Sequence, residues 1–126
     1  MAAPTRSPRQ RREILIRAGL VALRARLIDT PLADRIWAAL PIYAAAEIEG
    51  QTLQFAVLIE IHPAAHACRA VTAGDVAFSA GRGRMLVAFG AARASAADIW
   101  ARALDDVAAL ANVDQGARIA VLEADS

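Results

Sequence analysis

Four side chains with metal-binding chemistry lie close together: His62, His66 and Cys68 within seven residues, and Glu60 just before them. Zinc takes imidazole and thiolate, and two ligands often come from one short loop, but a structural site needs four donors. The chain holds no other histidine or cysteine, so only Glu60 and Asp75 could complete the set. These residues therefore read as loop residues with a half-buried thiol, and no metal or other cofactor is expected. Gly81-Arg82-Gly83-Arg84 could present main-chain N–H groups to an anion, because glycine lets a ligand approach the backbone. No helix pattern opens after it and lysine is missing, so it matches no phosphate loop. It reads as a hairpin loop with solvated arginines. Ser79 and Ser95 lack a nucleophile elbow. Asp105 and Asp106 are neighbours that point apart on a helix. The remaining candidates are bulky. Core packing is the expected role of any single one of them, but Tyr43, Phe55, Phe78 and Met85, with Arg82 and Arg84, are taken as candidate ligand-binding residues, since binding pockets are concave, mostly apolar and sparsely polar. Phe78 and Met85 flank the Gly-Arg loop and are the leading pocket residues.

The elements that must carry these residues are mostly strands. Ile14 to Ile16 begin an apolar run, Ala18-Gly19 turns it, and Val21, Leu23, Ala25 and Leu27 alternate with Ala22, Arg24 and Arg26. Period two means a strand with one buried face, so an antiparallel pair joined at Gly19 is expected. Thr30-Pro31 then opens a helix. The threonine hydroxyl accepts an unpaired N–H, and proline suits the first helical position. Leu32, Ile36, Trp37 and Leu40 form its apolar stripe, and Pro41 stops it. Strands follow over 42–48, over 51–61 with Phe55, Val57, Ile59 and Ile61 on one face, over 76–79 and over 84–90. The last runs over 117–122. Residues 98–111 are ambiguous: Ile99, Ala103, Val107 and Leu110 fall on one helical stripe.

A chain of 126 residues fits one domain that folds without disulfides or metal. All fourteen basic residues are arginine, which together with the abundant alanine reads as compositional bias. Residues 1–12 hold four arginines and two prolines and read as a disordered basic arm, leaving 13–126 as the folded domain. From Glu13 onward ten arginines face thirteen acids, so the body is near −3. With a net charge of +1 overall, a dedicated nucleic-acid binder is not expected. A single cysteine and no long apolar run point to a cytoplasmic protein away from membranes.

About seven strands, one or two helices and no βαβ alternation predict a mainly β domain, a closed or nearly closed antiparallel barrel. Three segments in order add to this. They are Leu27-Ile28-Asp29-Thr30-Pro31-Leu32-Ala33 leading into Trp37-Ala38-Ala39-Leu40-Pro41, then Ala73-Gly74-Asp75-Val76-Ala77-Phe78, then Leu86-Val87-Ala88-Phe89-Gly90. Over residues 14–123 they resemble the small cyclophilin-like domain proteins of bacteria and archaea whose role is uncharacterised. The resemblance implies a β-barrel of cyclophilin-like type capped by short helices. It also implies a strand at 99–102 and a short helix at 104–110 in the ambiguous segment.

True cyclophilins isomerise X-Pro bonds, whose barrier comes from partial double-bond character. They use an arginine in a Phe-His-Arg run, and this chain has none; its 51–61 strand carries no arginine. The expected function is therefore binding of a small molecule or peptide without isomerase chemistry. The alternatives are a weak prolyl isomerase using Arg82 or Arg84, and a structural subunit forming a homodimer.

Overall fold

The computed structural model describes residues 12–59, 68–79, 81–90 and 97–124, with only the backbone of 68 and 69. The chain starts with β1 (Glu13–Ala18) and β2 (Val21–Leu27), paired antiparallel from Glu13↔Arg26 to Ala18↔Val21. The loop between them has two residues, and Gly19 takes φ +59 at the first of them. That left-handed conformation matches the twist of tight hairpins and favours glycine there. Ile14, Ile16, Ala18, Leu23, Ala25 and Leu27 are buried, while Arg17, Arg24 and Arg26 face out, as period two requires.

Helix α1 (Pro31–Ala39) begins where the sequence predicts. Thr30 Oγ1 accepts from the Ala33 N–H at 3.1 Å, and Leu32, Ala33 and Ile36 are buried. Arg12, which the sequence reading places in the solvated arm, belongs to the fold. Its guanidinium bonds Asp34 Oδ1 at 2.7 Å and sits 5.5 Å from the centroid of the Trp37 ring. Charge and ring face together hold it.

After the cis Leu40–Pro41 bond, the expected 42–48 strand is two strands, β3 (Ile42–Ala45) and β4 (Glu47–Glu49), with Ala46 between them. They pair with different partners, which is why one continuous strand is not seen. Of the expected 51–61 strand the described part, up to residue 59, forms β5 (Thr52–Ala56), and 60 and 61 lie outside the described residues. Next come β6 (Cys68–Arg69), β7 (Asp75–Ser79), β8 (Arg84–Ala88) and β9 (Ala97–Ala103). A 3-10 helix (Val107–Asn112) and β10 (Arg118–Glu123) complete the described elements. The ambiguous segment is thus a strand followed by a short helix, the arrangement the resemblance implies.

All pairings are antiparallel, and nine strands follow the path β3-β10-β1-β2-β9-β7-β8-β5-β4, with β6 added on β9. Among the described residues no ladder joins β3 to β4, so the sheet has two ends and the expected closure is not seen. The concave face carries the main core, built from Ile14, Leu23, Ile36, Phe55, Trp100 and Ile119 with their neighbours. A bulge in β9 opposite Val76 and Ala77 leaves Trp100 and Ala101 both in that core. This one extra residue breaks the period-two pattern: Ile99 packs in the cluster on the other face and Ala103 against the main core, although an even spacing separates them. A second apolar cluster lies on the opposite face of β7, β8 and β9: Val71, Ala77, Leu86, Ala88, Ala97 and Ile99.

Candidate binding groove

The two ends of the sheet follow one another in the chain, so they lie side by side. β4 pairs β5 as Glu47↔Gln54, Ile48↔Leu53 and Glu49↔Thr52, and the ladder stops there. β3 instead pairs β10, from Ile42↔Val121 to Ala45↔Arg118. Ala46 sits at the fork. Its N–H donates to the Ala117 carbonyl at 2.8 Å, and its carbonyl accepts from the Gly116 N–H at 2.8 Å. Gln115 Oε1 accepts from the Ile48 N–H at 2.8 Å and ties the first turn of the fork to β4. The 114–117 turn that supplies these groups needs Gly116 at φ +84.

Beyond the fork a groove of about 690 Å³ opens between β3 and residues 56–58. Its walls are mostly apolar: Ile42, Tyr43, Ala44, Val57 and Leu58, with Glu47 and Gln115 near the fork. Ile42 and Val57 are buried on the inner side, whereas Tyr43 is 70% exposed and Leu58 fully exposed on the outer lips.

Alternation along an antiparallel strand fixes which main-chain groups face the groove. Ala46 bonds toward β10, so Ala44 and Ile42 do as well. The Gly19 N–H bonds the Arg118 carbonyl at 3.0 Å, which sends Arg118 and Ala120 toward β1 and leaves Ile119 and Val121 facing β3. Both observations turn the N–H and C=O of Tyr43 and Ala45 away from β10, into the groove. On the other wall the Val57 N–H donates to the Gly83 carbonyl at 3.0 Å, across to the β8 side. Ala56 and Leu58 therefore aim their main-chain groups at the groove. Extending the β4–β5 register places Ala45 opposite Ala56 and Tyr43 opposite Leu58.

The groove's charged rim is already paired. Arg84 reaches over β5 to Glu47, Nη1 to Oε2, at 2.8 Å, with both side chains partly exposed. Of the six candidate residues, only Tyr43 lines the groove, and Arg84 touches it through Glu47. Arg82 is exposed on the 81–83 turn and does not line the groove. Phe55, Phe78 and Met85 are at most 3% exposed and pack in the main core. Phe55 and Phe78 both stand opposite Met85, so the register puts the three on one face, and that face is the inside of the sheet. The sequence reading missed Leu58 and Gln115. Leu58 was the detectable one, a large apolar residue on the polar side of its strand.

A smaller polar recess of about 230 Å³ lies at the start of β7, lined by Ile28, Ala70, Thr72, Asp75, Ile99 and Arg102. Asp75 is 5% exposed, and its Oδ2 accepts from the Thr72 N–H at 3.0 Å and from Thr72 Oγ1 at 2.9 Å. Its Oδ1 lies 3.5 Å from Arg102 Nη2. With both oxygens engaged, Asp75 ties the turn to the strands rather than offering a free carboxylate. The His62 and His66 reading lies outside the described residues, among which no metal-binding cluster occurs. No helix of the described structure is long and apolar enough to cross a membrane.

No protein-family model matches this chain, and no curated protein matches it in sequence. Solved structures do. The solution structure of the hypothetical protein AF2241 from Archaeoglobus fulgidus aligns with TM-score 0.76 over 91% of this chain and 96% of that one, at 22% identity. McbB, solved in complex with tryptophan, aligns with TM-score 0.72 over 90% of this chain, at 18% identity. The likeness is one of fold. The present chain spans 45% of the length of McbB.

Proposed function

We propose that this chain is a binding domain of cyclophilin-like type, an incompletely closed barrel whose open seam takes a small molecule or peptide without isomerase chemistry. The observation that carries the reading is the groove itself: apolar walls on two strand ends, with few polar groups, as ligand sites have. The barrel reading is supported by the path of the sheet, whose first and last strands are separated only by Ala46. Isomerase chemistry is disfavoured because Arg84 is neutralised by Glu47 and Arg82 stands on an exposed turn.

The test is a titration of isotope-labelled protein with small aromatic and aliphatic probes, tryptophan first because McbB was solved with it. Amide shifts confined to 42–47, 56–58 and 115–116, and abolished in the groove-filling variant Ala45→Trp, are expected. Shifts elsewhere, or shifts unaffected by that variant, would contradict the reading. An X-Pro isomerisation rate that falls in Arg84→Ala would favour the enzyme instead.

A further inference from the structure

The seam presents more than apolar walls. Tyr43 and Ala45 on one side, and Ala56 and Leu58 on the other, offer alternating N–H and C=O groups at strand spacing. A row of partial charges in this order is complementary to another extended main chain, which is how sheet edges capture peptides. A small ring compound would leave most of these groups without partners.

The geometry also sets where such a segment enters. Cα atoms of β3 and β5 come within 8 Å of each other. A strand between two others needs them about 9.6 Å apart, twice the usual spacing. The stretch where β3 faces β5, beside the fork, is therefore too narrow, which leaves the stretch between Tyr43 and Leu58, past the last residue of β5, for the segment.

Charge narrows the partner further. Arg118 stands beside Ala45 across the β3–β10 ladder, on the outward face, and Arg17 stands beside Ala120 on the same face. Both are exposed, and neither has an ion pair among the described residues. Glu47, the acid at the groove, is already held by Arg84. The inner wall is aliphatic, from Ile42, Ala44 and Val57.

We infer that the ligand of the seam is an extended peptide that alternates acidic and aliphatic residues and adds to the sheet by main-chain pairing. This rests on the groove being the binding site. Its inward side chains pack on Ile42 and Val57. Its outward carboxylates face Arg118, with their stems along Tyr43 and Leu58.

The test uses the full chain and an acetylated, amidated hexapeptide that alternates valine and glutamate. Saturable binding is expected, with the largest amide shifts at Tyr43 and Leu58. Methylating every second peptide nitrogen removes donors without changing side chains, and should weaken binding about tenfold or more. Arg118→Glu should weaken binding about fivefold and favour the same peptide with lysine in place of glutamate. Equal binding of the methylated peptide would overturn main-chain pairing. Tryptophan or other small probes binding in the groove while the hexapeptide does not would overturn the peptide inference and leave the groove as a site. Failure of every probe would remove both. A concentration-dependent doubling of mass, abolished by Ala45→Trp, would show a second copy of the chain on β3 and would also overturn it.

Discussion

The two halves of the sheet solve burial in opposite ways. In β3, β10, β1 and β2 one face packs on the core and the other meets water, carrying Arg17, Arg24, Arg26 and Arg118. In β5, β8 and β7 four consecutive residues are buried in each strand, because both faces are covered. The first half is laid out by alternation and tolerates change outside; the second is specified on both sides. The groove lies where the outer strands of the two halves face each other with no ladder between them among the described residues.

This contrast can be broken most sharply with two outward-facing alanines. Ala88 is 0% exposed on the covered side of β8, and Ala22 is exposed on β2. Ala88→Arg buries an uncompensated charge and should cost about 3–5 kcal/mol in urea denaturation. Ala22→Arg should stay within about 0.5 kcal/mol of the parent. Similar costs at both sites would mean the halves do not differ. A smaller effect is expected at the turn into β7. Asp75→Ala leaves the Thr72 N–H and hydroxyl without their acceptor and should cost about 1–3 kcal/mol by the same measurement.

The smallest effect belongs to the exposed half. The Arg24 N–H, followed by its guanidinium, holds the Asp105 carboxyl below the ordinary aspartate value of 3.8. A lowered folded value means that the contribution is present above the unfolded value and is lost as pH falls through the folded one. A carboxyl NMR titration should place the Asp105 midpoint below 3.8. Arg24→Ala should raise it only part of the way, because the main-chain donor remains.

What could be read from the sequence follows the same division. The β1–β2 hairpin, its Gly19 turn and the Thr30-capped helix were legible because each obeys a local rule. The short 3-10 helix after β9 was legible only through the family resemblance, since the Trp100 bulge disguises the strand before it. Phe55, Phe78 and Met85 share a face because the first two both pair with the third, a register no local rule shows, and that face turns inward because the sheet curls around it. The curl depends on the pairing of β3 with β10, which lie far apart in sequence, and not only on the local β4–β5 hairpin. The fork at Ala46 was illegible for that reason, and with it the groove. Tyr43 alone among the candidates lines it, as an aromatic on an outward position of an end strand.

The central claim is that the seam between β3 and residues 56–58 is open and pairs with an incoming main chain. Amide hydrogen exchange reads this directly. In the free protein Ala44, turned to β10, should exchange slowly, while Tyr43, Ala45 and Leu58 exchange fast. Saturation with the valine–glutamate hexapeptide should slow Tyr43 and Leu58 by about tenfold or more and leave Ala44 unchanged. Slow exchange at Tyr43, Ala45 and Leu58 before any peptide is added would show a seam already closed on itself, and would contradict the account.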